Sequence, residues 1–379
     1  MVSAAGSSSR ELQYYSPPMN VAQVLTRLGQ AAPWDKAADW DPIGLQLGDP
    51  QCEAATVAVC HEVTEAVVTG VEEIQIDLLV TYHPLLFRPT ARITAGRSPA
   101  GRAYRIIRAG TSLAVTHTNF DVAVGGVADA LAESLGLIDT TGFGPVAAAE
   151  SIKVVTYAPT GSADLIADAM AAAGGGRIGN YTNCSYQAEG VGTFVAGEGA
   201  SPVTGTAGLL NREPEIRIEM TVAASSRESV LRALIAAHPY EEPAFDVYPV
   251  HANLGMAGRV GRPNEPRTLQ NLVDEAADAL GGRTLRVAGD LSRPIGRVAV
   301  VPGSGSSYVR PAAAAGADVL VTGDVGHHRV VEAADLGLSV IDPGHLATER
   351  PGIQRLYALV AGIVPEAIDL THLTDGEGS

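Results

Sequence analysis

A histidine and a glutamate stand four residues apart in GHLATER, as His345 and Glu349. If this segment opens a helix after a strand at 339–342, both side chains lie on one helical face near its N-terminus. A His and a Glu on one face form half of a common metal site, and the other half must come from elsewhere in the fold. The alternative is a helix-start histidine followed by a solvated acid that the helix dipole favours. His83 is the first candidate for the other half. It follows the apolar run Leu78-Leu79-Val80 and precedes Pro84, which holds it in extended geometry and ends the strand. That puts a histidine at the carboxyl end of a buried strand, where open α/β sheets bind ligands; a histidine hydrogen-bonded inside the strand-end turn is the other reading. A second apolar run, SLAVT at 112–116, ends in His117, Thr118, Asn119, Phe120 and Asp121. Nitrogen and oxygen donors without sulfur suit Zn²⁺, Mn²⁺, Fe²⁺ or Mg²⁺, and Asp121 joins His83, His345 and Glu349 as a candidate ligand.

Other motifs carry less. Gly303-Ser304-Gly305 follows a strand and could cradle a phosphate on backbone N–H groups, but it is neither GxGxxG nor a P-loop, and a plain tight turn competes. His327 and His328 are adjacent, so on a helix they point about 100° apart and at most one faces a cleft. Cys60 ends a strand without a base beside it, and no GxSxG is present, which disfavours a nucleophilic triad.

These residues need strands to present them and helices to cover the strands. Helical spacing at 21–31, a strand at 55–59, a helix at 64–73 and the strand at 78–80 alternate, followed by a helix at 102–109 and the strand at 112–116. This pattern indicates a mainly parallel sheet with helical crossovers. Alternation returns after Gly255, with strands at 298–301, 319–322 and 339–342. Between the two stretches, the order β-α-β-β-β-α-β over about a hundred residues predicts an inserted ferredoxin-like α+β domain. The expected organisation is a tail at 1–17, an α/β lobe at 18–148, the insert at 149–252, a second lobe at 253–372 and a tail at 373–379.

Composition narrows the function classes. The 379 residues carry a net charge of −16, which argues against nucleic-acid and anionic-membrane partners. Apolar content of 46% supports large cores, and aromatics at 5% make base-stacking platforms unexpected. Three widely spaced cysteines fit neither a disulfide scaffold nor a zinc ribbon, so a reducing cytoplasm is expected. The first sixteen residues are polar and Ser-rich rather than a signal peptide, and no run of about 20 apolar residues predicts a membrane span.

Taken together, DWDPIGLQLGDP, DLLVTYHPLLFRP, THTNFDVAVGGVADALAESLGL, VPGSG and GADVLVTGDVGHHRVVEAADLGLSVIDPGHLATE resemble the NIF-three-like family, over nearly all of residues 18–370. The insert, with CSYQAEGVGTF and HPYEEPAFDVYP, resembles the PII- or CutA-like domain of the longer members. The resemblance implies an α/β core of two lobes, a two-metal centre of divalent cations (Zn, Mn, Fe or Mg) and a homohexamer. It carries His83, Asp121, His345 and Glu349 over as metal ligands, and gives His117, and one of His327 and His328, a supporting or acid/base role. The family has a paired HH where this chain has Tyr82-His83. A neutral phenol of pKa near 10 is a much poorer ligand than imidazole, so one metal position is expected to be weaker or completed by water.

The expected activity is metal-dependent hydrolysis of a small-molecule substrate, a nucleotide or phosphoester; the family's bacterial members are named GTP cyclohydrolase I type 2 homologues, a name that implies opening of the purine ring of GTP. The competing class is a non-enzymatic regulator with a structural or sensory metal and an effector-binding insert.

Overall fold

The structure, a computed structural model, describes residues 19–146, 151–178, 181–250, 255–281 and 285–373. The tail expected at 1–17, nearly all of that at 373–379, and the junctions expected at 148–149 and 252–253 lie outside the described residues. The chain is mixed α/β and divides into two units, one formed by residues 1–31, 42–116 and 353–379 and the other by 32–41 and 117–352.

The first unit holds helix α1 (Val21–Ala31), strands β1 (Gly44–Leu47) and β2 (Val57–Cys60), α2 (Glu65–Ile74), β3 (Leu78–Thr81), α3 (Pro99–Arg108) and β4 (Ser112–Val115). β4, β3, β2 and the short strand Ile368–Asp369 are parallel neighbours, and β1 closes the β4 edge antiparallel. Every residue of β2, β3 and β4 is buried, as expected of strands covered on both faces. Thr64 caps α2 by accepting from the Val67 amide, and Val67, Val68 and Val71 pack with Leu79, Ile106 and Leu113 in one core.

The second unit adds α4 (Thr118–Val122), α5 (Val127–Ser134), β5 (Leu137–Pro145), β6 (Ser151–Pro159), α6 (Ala163–Ala172), β7 (Ser185–Val195), β8 (Leu210–Ala223), α7 (Arg227–Ala237), β9 (Phe245–Val250) and β10 (Met256–Pro263). There follow β11 (Arg267–Thr268), α8 (Leu269–Leu280), β12 (Arg286–Ala288), β13 (Pro294–Ile295), β14 (Val298–Ser304), α9 (Val309–Ala314), β15 (Val319–Gly323), α10 (His327–Asp335), β16 (Ser339–Asp342) and α11 (His345–Ile363). A six-stranded sheet runs in the order β12-β16-β15-β14-β10-β5. Its centre, β14-β15-β16, is parallel, and β10 and β5 extend it antiparallel. Neither β5 nor β10 was expected from sequence. Both strands carry glycines, and Gly261 is a close-approach position: a Cβ there would come 2.8 Å from the Ile138 carbonyl oxygen.

Between β5 and β10 lies a four-stranded antiparallel sheet, order β7-β8-β6-β9, with α6 and α7 packed on it through Ile166, Met170, Val230 and Leu234. The element order β-α-β-β-α-β is that of a ferredoxin-like module. It has one strand fewer than expected: the pieces read at 181–186 and 190–196 are largely one strand, β7, which pairs with β8 residue for residue from Ser185 to Val195. Gly190 and Gly192 sit inside that ladder instead of breaking it.

Candidate metal centre

In the first unit, two parallel strands end in histidine. His61 follows β2, and Tyr82-His83 follows β3. The strand pairing continues past both ends, with the Tyr82 amide donating to the Cys60 carbonyl at 3.1 Å and the His83 amide to the His61 carbonyl at 2.9 Å. The Thr81 hydroxyl donates to the His83 carbonyl at 3.0 Å, fixing the turn that Pro84 begins. The rings of His61 and His83 have centroids 4.6 Å apart, and their ring nitrogens come within 4.8 Å of one another. Two imidazoles so placed can share one cation. Tyr82 is buried and stacks on His61 at 5.5 Å between centroids, which makes it a wall of this group. His61 escaped the sequence reading because Cys60 drew attention instead. The signal was available: it is another polar residue at the carboxyl end of a buried parallel strand.

In the second unit, the turn before α11 is built by Asp342, whose buried carboxylate accepts from the Val325 and Gly344 amides, both at 3.0 Å, and pairs with Arg286. α11 therefore begins at His345, and Glu349 falls one turn on. His345 Nε2 lies 2.9 Å from Glu349 Oε1, and the Glu349 side chain is 2% exposed, so the solvated-acid reading fails. The other ring nitrogen, Nδ1, lies 2.7 Å from Asp324 Oδ2. Asp324 sits just after β15 with φ of 58°, a left-handed position that Asp tolerates. The hydrogen bond to Glu349, then the fields of Glu349 and Asp324, outweigh burial and raise His345 to about 9.

His117 and Asp121 belong to the same unit, at the start and on the first turn of α4. Asp41, buried in the DWDP turn, accepts from Thr118 N at 2.9 Å and Thr118 Oγ1 at 2.5 Å and lies 3.0 Å from His117 Nδ1. Asp41 thus takes up the Nδ1 side of the His117 ring. Burial would lower the pKa of His117, but the hydrogen bond to Asp41 and the fields of Asp121, Asp41 and Glu349 raise it. Burial likewise would raise Asp41, and the contacts with His117 and Thr118 lower it instead. His117, Asp121, His345 and Glu349 thus fall within one electrostatic neighbourhood of one unit, while His83 lies in the other unit beside His61. Asp41 and Asp324 were missed because each meets its histidine across a long sequence gap.

The remaining motifs resolve as structure. The Gly303 amide donates to Thr348 Oγ1 and the Gly305 amide to Thr322 Oγ1, both at 2.9 Å, so two N–H groups of the Gly-Ser-Gly turn are spent internally. Gly303 also makes room: with φ of +60°, a Cβ there would stand 2.6 Å from Glu349 Oε1 and 3.3 Å from His345 Nε2. His327 and His328 are both exposed at the start of α10. Cys60 is fully buried, and burial pushes its thiol up to about 12, which removes it as a nucleophile.

The donor set fits a divalent metal, since imidazole nitrogens and carboxylates, one of them the buried Glu349, with Asp-anchored histidines, are what such ions require. No helix among the described residues is long and apolar enough to cross a membrane.

Comparison with known proteins gives the family. Residues 19–374 match the family model Duf34/NIF3 (NGG1p interacting factor 3). The chain is 39% identical over 340 residues to a Mycobacterium bovis protein named GTP cyclohydrolase 1 type 2 homolog, covering 88% of this chain and 89% of that one. A Bacillus subtilis protein of the same name is 36% identical over 343 residues, with 89% and 91% covered. Among solved structures, a Bacillus cereus protein related to NIF3 superposes with a TM-score of 0.64 at 33% identity, covering 96% of this chain and 99% of that one. The chain belongs to the Duf34/NIF3 family.

Proposed function

We propose that this protein binds divalent metal, with His83 and His61 as ligands in the first unit and Asp121, His345 and Glu349 as ligands in the second, and hydrolyses a nucleotide or other phosphoester. The observation that carries the reading is Glu349: a carboxylate 2% exposed, facing a histidine whose second nitrogen is fixed by Asp324. Without metal the Glu349 carboxylate is held against the protonated His345, and a divalent cation would take that proton's place; an Asp-anchored imidazole is the usual state of a metal-ligating histidine. When bound, the cation would polarise an electrophile and make water a better nucleophile. Asp41 holds His117 in one tautomer, so that Nε2 can take a proton from an attacking water or return one to a leaving group. The names of the relatives support a purine nucleotide as substrate. Family resemblance further supports a dinuclear centre, a cytoplasmic homohexamer and a PII- or CutA-like identity for the module between β5 and β10.

Elemental analysis of protein purified without chelator tests the reading directly. The wild type should carry divalent metal and Glu349→Ala should lose most of it. Asp121→Ala should abolish turnover of a nucleotide panel with Mn²⁺ or Zn²⁺. A metal-free wild type would sink the proposal. The second reading, a non-enzymatic regulator with a sensory metal, is favoured by the module, which forms a cavity of about 920 Å³ of its own. Metal without turnover on any nucleotide would select it.

A further inference from the structure

The ferredoxin-like module covers one face of its sheet with α6 and α7, through Ile216, Ile218, Met220 and Val222 of β8. Residues of opposite parity face away. On that side Gly190 and Gly192 of β7 and Glu215 and Arg217 of β8 line the cavity of about 920 Å³, which the segments 196–204 and 240–244 border. A volume of that order suits a small organic ligand.

Three features define what it would hold. The floor is open because β7 carries glycine there: a Cβ on Gly192 would stand 2.0 Å from Glu215 Oε2, so the missing side chain lets the Glu215 carboxylate lie across the strand. That carboxylate is oriented, accepting from the Tyr240 hydroxyl at 2.8 Å. Burial, then the bond to Glu215, push the Tyr240 phenol up to about 12, so it stays a hydrogen-bond donor to Glu215. The border is also fixed, with the Ser201 amide donating to Glu241 at 3.1 Å.

The lining then sets the ligand's charge. Glu198, Glu215, Glu241 and Glu242 line the cavity with one guanidinium, Arg217, which is itself paired with Glu219 at 2.9 Å. An anionic nucleotide would be repelled. Tyr157, Phe194 and Tyr240 supply aromatic surface beside the carboxylates, the combination that recognises ammonium and guanidinium groups.

We propose that this cavity is a binding site for a small organic cation, an amine or guanidine on an apolar or aromatic body, with Glu215 as its charge partner. The site lies within the module and does not rest on the metal centre, so either assignment can fail alone.

Calorimetric titration of the full-length chain at about 0.15 M salt tests it, with tyramine and spermidine as cationic probes, 4-ethylphenol as the uncharged relative of tyramine, and ATP as the anion. One saturable site is expected for at least one cation, at least tenfold tighter than for 4-ethylphenol, with no competition from ATP. Glu215→Gln, and independently Gly192→Ala, which displaces the carboxylate without removing it, should each weaken binding at least tenfold in protein whose circular dichroism is unchanged. Equal binding of tyramine and 4-ethylphenol, displacement by ATP, or unaltered affinity in either folded variant would overturn the assignment. So would binding that is multi-site and vanishes at this salt, because that is attraction to the chain's overall negative charge.

Discussion

His345 holds two carboxylates at once, Asp324 on Nδ1 at 2.7 Å and Glu349 on Nε2 at 2.9 Å. The first contact is between a turn and a helix start, and the second spans one helical turn. Their chemistry differs accordingly: Asp324 orients the ring, and Glu349 shares the position where a cation would sit. Asp324→Ala should therefore weaken metal binding by about 10- to 100-fold, the usual cost of losing such a support. Asp324→Asn, which tolerates the left-handed backbone and retains an acceptor, should cost less. Chelator competition measures both, and equal, unchanged affinity in the two variants would rule out an orienting role.

Stability of the chelated protein should depend on pH through the same histidine. His345 is raised from 6.5 to about 9, so its contribution is complete below about 6.5 and is lost as pH rises through about 9. Thermal denaturation in chelator should show Tm declining across that window, and His345→Gln should flatten the decline. A wild-type Tm constant from pH 6.5 to 9 would contradict the pairing.

Asp41→Asn tests the second anchored histidine. The Asp41 side chain is fully buried and serves three donors from His117 and Thr118, so the substitution should destabilise by about 1–3 kcal/mol. Removal of the charge should also lower the pKa of His117, read as a shift of its imidazole resonance in an NMR titration.

Gly303→Ala should disturb the site without replacing any proposed ligand. The new Cβ would press on Glu349 Oε1 at a backbone φ of +60° that alanine adopts with strain. Reduced metal content with native circular dichroism is the expected result, and full metal content would show that the carboxylate has room to move.

Thiol reactivity separates the cysteines. Cys52 is exposed, and Cys60 is buried with its thiol at about 12. At pH 8 iodoacetamide should modify Cys52 readily and Cys60 only after unfolding, as peptide mapping would show.

Much of the centre was legible because local rules dictated it. The apolar run before Pro84 forced a strand end at His83, and the four-residue spacing of His345 and Glu349 put them on one helix face. What was hidden depends on pairing between distant segments. Asp41 finds His117 and Asp324 finds His345 only when separate strand ends meet, and nothing near either aspartate announces that. β5 and β10 were hidden for another reason. Their glycines serve close strand approach, with Gly142 against Met256 and Gly258 against Phe143, and glycine in sequence looks the same whether it turns a chain or lets two strands touch.

β5 and β10 are sequence-distant yet immediate neighbours, with Pro145 opposite Met256 and the Val146 amide donating to the Gly255 carbonyl at 2.8 Å. In effect they form a hairpin whose loop is a whole folded module. Its chain ends leave and return at one spot, so a short turn could replace it without moving either strand. Such a connection leaves the rest of the scaffold independent of the module: the elements that carry Asp121, His345 and Glu349 would be unchanged with a short turn in its place. During folding the same geometry sets an order. The module closes a gap of about a hundred residues that would otherwise cost loop entropy, so its early folding should speed the docking of β10 beside β5.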